Sequence, residues 1–318
     1  MKVLVTRAVF PEIVEALSRN FETDYNAEDR PWAPDELARR LAGRQGVMAT
    51  VMDRFDEALL AQCADLKVIA NIAVGYNNID VPACTKRGIR VTNTPGVLDD
   101  TTADLTWALL MAAARRTAEG DAYVRAGEWK TAFGVQFFLG LDVHHATLGI
   151  IGVGRIGQAI ARRARGFDMR ILYNNRSRLP QADEVKLGAT WVERDRLLAE
   201  SDFVLAMAPY SPATHHLIGA AEIAKMKPTA ILVNAARGGI VDDSALVEAL
   251  KSGRIAGAGL DVFEGEPKLH PGFLELRNVA MTPHIGSASR ATRLNMCRTA
   301  AANLTAVLEG REPPNPVN

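Results

Sequence analysis

The hexapeptide Gly152-Val153-Gly154-Arg155-Ile156-Gly157 constrains this chain most, because it lies directly between the apolar run Leu148–Ile151 and the helical pattern Gln158–Arg165. In a strand–turn–helix setting each glycine has a task. The first allows a tight turn, the second lets backbone approach a pyrophosphate, and the third lets helix and strand pack closely, with phosphate at the helix N-terminus. Outside that setting the same pattern is a weak signal and reads as a glycine-rich turn. Its position here predicts a parallel sheet that binds a dinucleotide.

The rest of the chain repeats the same alternation. Short β-branched runs at Val3–Thr6, Val47–Met52, Val68–Ala73 and Ile89–Thr94 are separated by helical patterns that open at Pro11, at Pro34 and near Asp56, and the turn Thr94-Pro95-Gly96 follows. A long helix is expected from Asp99 to Arg116, with Leu105, Leu109 and Ala112 on one face. Strands resume at Thr147–Ile151, Ile171–Asn174, Phe203–Met207, Ile231–Asn234, Ile255–Leu260 and Val279–Thr282. A final helix, Ser287 to Glu309, is stopped by Gly310 and the proline-rich tail. Such alternation indicates parallel βαβ units. At 318 residues the chain outgrows a single core, which stops growing at roughly 250–300 residues. The expected fold is therefore α/β: two doubly wound parallel-sheet domains, Rossmann-like or flavodoxin-like, with a cleft between them. Residues 1–98 plus 287–318 form one, and residues 99–286, inserted in it, form the dinucleotide-binding one.

Charge narrows the partners. Lys+Arg and Asp+Glu both number 37, so no overall field draws in nucleic acid or an anionic membrane, and an anion must be bound by local arginines. Cys63, Cys84 and Cys297 are scattered and lack metal-ligand spacing, so reduced thiols and no metal are expected. No run reaches the ~18 apolar residues of a membrane span, and Met1–Thr6 lacks a signal-peptide layout, which makes the cytoplasm the expected location. The segment Tyr123–Leu141 crowds Trp129, Phe133, Phe137 and Phe138 together without a helix or strand period. It reads as an aromatic arm that packs on something.

The strand ends carry the chemistry. An acidic residue is expected about 20 positions past the glycine loop where the adenosine ribose has a free 2′-hydroxyl. Here Asn175 takes that place, followed by Arg176, Ser177 and Arg178, a set suited to a 2′-phosphate. NADP(H) is thus favoured, with NAD(H) possible. Reduction of a 2-keto acid needs a cation for the carboxylate, a proton donor for the carbonyl oxygen, and a carboxylate that keeps the donor charged and oriented. Arg237, Glu266 and His284 each follow a strand, where doubly wound sheets place their ligands. Taken singly, each has an ordinary structural reading: a helix cap, a solvated turn residue, a structural histidine.

Together and in this order, these motifs resemble the D-isomer-specific 2-hydroxyacid dehydrogenases over essentially the whole chain, most closely the glyoxylate/hydroxypyruvate reductase branch. The resemblance implies that Arg237 binds substrate, His284 gives the proton and Glu266 pairs with His284. It further implies that Asp261 and the backbone of Ala235 hold the nicotinamide carboxamide, that Thr102 and Thr214 line the cofactor, and that the loop Val74-Gly75 offers backbone amides to the substrate carboxylate. It makes the first domain the substrate-binding one. It also suggests a homodimer held by the 123–141 arm, with Trp129 reaching the neighbour's substrate site. His144-His145 replaces a glycine–lysine pair usual in the family; the two are expected on the surface, and the departure leaves catalysis untouched. Formate dehydrogenases share the fold and motif order but carry glutamine where Glu266 stands. Dinucleotide-sensing corepressors share even the catalytic residues, but they resemble NAD sensors with an acid at the strand end where Asn175-Arg176 stands here, and substrate turnover decides between them.

Overall fold

The computed structural model describes residues 1–131 and 134–318, so Phe133 of the aromatic segment lies outside the described residues. The chain forms two compact units, Met1–Leu98 with Ala288–Asn318, and Asp99–Ser287.

The first unit begins β1 (Lys2–Val5), α1 (Pro11–Ser18), β2 (Glu22–Tyr25), α2 (Pro34–Leu41) and β3 (Gly46–Ala49). It continues α3 (Glu57–Leu60), β4 (Val68–Asn71), α4 (Val81–Lys86) and β5 (Arg90–Thr92). Its five strands are all parallel, in the order β2-β1-β3-β4-β5. In β3 and β4 every residue is buried, because apolar layers cover both faces of the sheet. The edge strand β2, Glu-Thr-Asp-Tyr, has no fully buried residue, which is why hydrophobic periodicity does not reveal it.

The second unit opens with α5 (Asp99–Ala114) and α6 (Thr117–Arg125). It then runs β6 (Thr147–Ile151), α7 (Arg155–Arg165), β7 (Arg170–Asn174), α8 (Gln181–Leu187), β8 (Ala189–Trp191), α9 (Arg194–Glu200) and β9 (Phe203–Ala206). It ends α10 (Ala220–Ile223), β10 (Ile231–Asn234), α11 (Asp243–Lys251), β11 (Gly257–Leu260) and β12 (Val279–Met281). The seven strands, again all parallel, are ordered β12-β11-β10-β9-β6-β7-β8. The winding reverses between β6 and β9, so the crevice beyond their carboxyl ends is the place where such a sheet receives a ligand.

The aperiodic reading from Tyr123 onward needs one correction: Tyr123–Arg125 finish α6, a helix that starts after Arg116 turns left-handed at φ 53°. Phe138 packs against Tyr123 at 5.2 Å between ring centres and lies under the Arg116 guanidinium. The last helix, α12 (Arg290–Leu308), belongs to the first unit, where Leu304 and Leu308 pack against Gly46 of β3. No helix among the described residues is long and apolar enough to cross a membrane.

Candidate active site

The glycine loop connects β6 to α7. Gly152 has φ 100°, a left-handed conformation, and a Cβ there would lie 2.5 Å from the Ala208 nitrogen. A Cβ on Gly157 would lie 2.7 Å from the Gly152 oxygen, which sets how closely helix and loop approach. A Cβ on Gly154, by contrast, would meet nothing within 4 Å. The backbone is open at the one glycine where a ligand must come close. Arg155 and Ile156 occupy the first turn of an eleven-residue helix, whose leading amides lack helical acceptors and face an anion favourably. The loop therefore fits a dinucleotide pyrophosphate.

At the end of β7, Asn175 is tied to this loop. Its Oδ1 accepts the Val153 amide at 2.6 Å, and its Nδ2 approaches the Val153 carbonyl at 3.4 Å. Arg178 is ion-paired with Glu184. Its guanidinium donates to both oxygens of Glu184 at 2.8 Å, and the buried Tyr173 hydroxyl donates to the same carboxylate at 2.6 Å. Arg178, then Tyr173, hold the Glu184 carboxyl down at about 2. Arg176, beside the exposed Ser177, is exposed and has no ion-pair partner among the described residues.

Three loops at the carboxyl ends of the neighbouring strands β10, β11 and β12 bring the other residues together. His284 Nδ1 lies 2.7 Å from Glu266 Oε2, and the other oxygen, Oε1, accepts the Phe263 amide at 3.0 Å. Burial opposes the charge on Glu266, but the bonds from His284 and Phe263 outweigh it and hold the carboxyl below its ordinary range. With Nδ1 committed to Glu266, Nε2 is the nitrogen left to face a substrate. Arg237, partly buried, loses some basicity to desolvation, against which the Glu266 charge works. The guanidinium remains a cation.

Asp261 fixes the loop that carries His284. Its carboxylate accepts the Thr282 hydroxyl at 2.6 Å and the amides of Ile285 and Gly286 at 2.8 Å, while its carbonyl accepts the His284 amide at 2.9 Å. His284 itself is left-handed, at φ 53°. Burial pushes the Asp261 carboxyl up despite those donors. Thr102 lies close by: a Cβ on Gly286 would be 3.2 Å from Asp261 Oδ2 and 3.4 Å from Thr102 Cγ2. Ala235 is buried just past β10. The Thr214 hydroxyl is engaged locally, accepting the Ser211 amide at 2.7 Å and donating to the Pro209 carbonyl at 2.8 Å.

Several asparagines and one aspartate that periodicity does not single out shape these loops. Asn234, 2% exposed at the end of β10, donates to the Arg237 carbonyl and accepts the Ala236 amide. Asp243 accepts the Glu264 amide at 3.0 Å, and burial pushes its carboxyl up to about 6. In the first unit, Asn71 donates to the Gly75 carbonyl at 2.8 Å and Asn93 to the Val74 carbonyl at 2.9 Å, fixing the Val74-Gly75 loop by its oxygens. The available signal was an amide side chain at a strand end, where the pattern otherwise calls for an apolar residue.

Comparison with known proteins agrees with this geometry. Residues 107–286 match the sequence model of the family described as D-isomer specific 2-hydroxyacid dehydrogenase, NAD binding domain. The chain is 47% identical to a glyoxylate reductase of Thermococcus onnurineus over 320 aligned positions, covering 100% of this chain and 96% of the relative. A glyoxylate reductase of Pyrococcus horikoshii is likewise 47% identical, with 96% of its length covered. A crystal structure of a Thermus thermophilus protein superposes with a TM-score of 0.92 at 46% identity, covering 100% of both chains. An NADPH-dependent glyoxylate/hydroxypyruvate reductase of Sinorhizobium meliloti, solved with NADP and malonate, gives 0.89 at 33% identity, covering 99% of this chain and 96% of that one. The chain belongs to the D-isomer-specific 2-hydroxyacid dehydrogenases, oxidoreductases that act on 2-hydroxy acids with a nicotinamide cofactor.

Proposed function

We propose that the chain reduces small 2-keto acids of the glyoxylate and hydroxypyruvate type, with NADPH preferred over NADH, in the cytoplasm. The observation that carries this reading is the His284–Glu266 pair at 2.7 Å in the same loop cluster as Arg237. Reduction of a carbonyl leaves charge on oxygen and requires a proton donor held cationic, whereas formate oxidation requires none. When bound, the reduced nicotinamide supplies the hydride.

The unit Asp99–Ser287 is the cofactor-binding one in this reading. The backbone at Gly152, Gly154, Arg155, Ile156 and Gly157 receives the pyrophosphate. Arg176 and Ser177 receive a 2′-phosphate, with Arg178 shaping their loop through Glu184. Thr102, Thr214, Ala235 and Asp261 border the nicotinamide. Arg237 holds the substrate carboxylate and polarises the carbonyl, and His284 Nε2 delivers the proton. In the first unit, the amides of Val74 and Gly75 serve the substrate. The names of the relatives, glyoxylate reductases, support the substrate class.

Steady-state rates with a panel of 2-keto acids, each with both cofactors, test the reading. NADPH is expected to be preferred about ten- to hundredfold, since one good charged hydrogen bond contributes roughly 1.5–3 kcal/mol. Changing Asn175 to Asp with Arg176 to Ala should reverse the preference. Equal efficiency with NADH and NADPH would defeat the cofactor assignment, and no turnover of any keto acid would favour a sensing role.

We also infer a homodimer through the segment from Tyr123 to Leu141. Trp129 is 61% exposed, Val135 81% and Leu139 63%, an apolar set of the kind that usually meets a partner. Light scattering at micromolar concentration should give twice the chain mass, and a monomer would refute the inference.

A further inference from the structure

We propose that His215, His216 and Glu264 form a binding site for a divalent transition-metal ion of the zinc type, using none of the residues assigned to hydride transfer. Their candidate ligand atoms all lie within 4.8 Å of one another. His216 Nε2 and Glu264 Oε2 are 2.8 Å apart, and two donors at that spacing subtend about 90° at an ion with bonds of about 2.0–2.1 Å. The His215 ring stacks on His216 with centroids 3.9 Å apart and planes 24° apart. Its only side-chain hydrogen bond among the described residues is a long one, 3.3 Å from Nδ1 to the Tyr210 hydroxyl. Because His215 is exposed, its ring can turn to bring a nitrogen onto the same ion.

The surroundings are those of a metal ligand set. The other nitrogen of His216, Nδ1, faces Asp242 Oδ2 at 3.7 Å, the carboxylate–histidine arrangement that orients a ligating imidazole and raises its basicity. Two of the three ligand backbones are fixed, since the His216 amide donates to the Gly239 carbonyl at 2.7 Å and the Glu264 amide to Asp243 at 3.0 Å. Among the described residues no lysine or arginine pairs with Glu264, so no resident cation occupies its charge. Two imidazoles and one carboxylate suit Zn2+, Ni2+ or Cu2+ rather than the all-oxygen preference of Mg2+ or Ca2+. The half-open position leaves further coordination sites to water and gives an entry path.

The test uses the full-length protein stripped of metal and titrated with Zn2+ in competition with a chromophoric chelator. One Zn2+ per chain is expected. His215→Gln and Glu264→Gln should each weaken binding at least about tenfold. His215 is exposed, so its replacement removes a ligand without disturbing a core. The His144–His145 pair, with ring centres 5.1 Å apart and Asp142 3.8 Å from His144, is the rival surface site. Replacing both of those histidines with Gln should leave the affinity unchanged. Co2+ in place of Zn2+ should give a visible absorption band that His215→Gln abolishes. Absence of stoichiometric binding, binding undiminished in both His215→Gln and Glu264→Gln, or binding lost with His144 and His145 would each overturn the proposal.

Discussion

Replacing His284 with Ala should lower kcat for keto-acid reduction by about 10²–10⁴-fold, the usual contribution of a general acid. The loss corresponds to roughly 3–5 kcal/mol in the barrier. Cofactor affinity, read by nicotinamide fluorescence, should hardly change, because His284 lies on the β12 loop and the glycine loop on β6. Glu266→Gln should be milder and should move the reductive pH profile toward acid. Glu266 is held ionised by His284 and the Phe263 amide, and that charge favours the protonated imidazole; without it the donor stays charged only at lower pH. Near-normal kcat in His284→Ala, or an unmoved profile in Glu266→Gln, would show that another group supplies the proton.

Gly238→Ala should be nearly as damaging, although it removes no chemistry. A Cβ at Gly238 would lie 1.8 Å from the Phe263 oxygen, 2.2 Å from its carbonyl carbon and 2.8 Å from the Glu264 nitrogen. All three are backbone atoms, so no rotamer change relieves the contact. The loop carrying Arg237 and the loop carrying Glu266 would have to separate. A misplacement of about 1 Å can cost on the order of 10²-fold in rate, and overpacking destabilises by about 1–3 kcal/mol. The expected result is a loss of about 10² in kcat/KM with a lowered melting temperature. Gly154→Ala makes the contrast: with nothing within 4 Å of its new methyl, it should fold normally and weaken cofactor binding. If Gly238→Ala keeps wild-type kcat/KM, the two loops do not depend on that close approach.

The strands that lie between neighbours were legible because burial on both faces makes them continuous apolar runs, as in β3, β4, β9 and β10. The edges were not. Strand β8 has only three residues, one of them exposed, and β2 is polar, so neither produces a pattern. Arg237 and Glu266 could be picked out because each follows such a strand, and His284 because it follows the apolar edge strand β12; the structure brings the three onto adjoining loops. The Arg178–Glu184 pair was not legible for a different reason: Glu184 stands six residues further on, inside α8, and spacing alone does not show which of two neighbouring arginines a buried carboxylate will take. Asn71, Asn93 and Asn234 act through backbone carbonyls, contacts that depend on loop shape and leave no trace in periodicity.

Asn175 joins two tasks in one side chain, since the atom that anchors the glycine loop is its oxygen, 2.6 Å from the Val153 amide. An aspartate offers an oxygen at the same place and can accept the same amide. What it forfeits is the longer 3.4 Å contact from Nδ2. Exchanging a single NH2 for O therefore adds a negative charge at the end of β7 while the turn keeps its main tether. On the proposed cofactor reading, a change at this one position would carry such an enzyme between the phosphorylated and unphosphorylated nicotinamide pools without first rebuilding the loop.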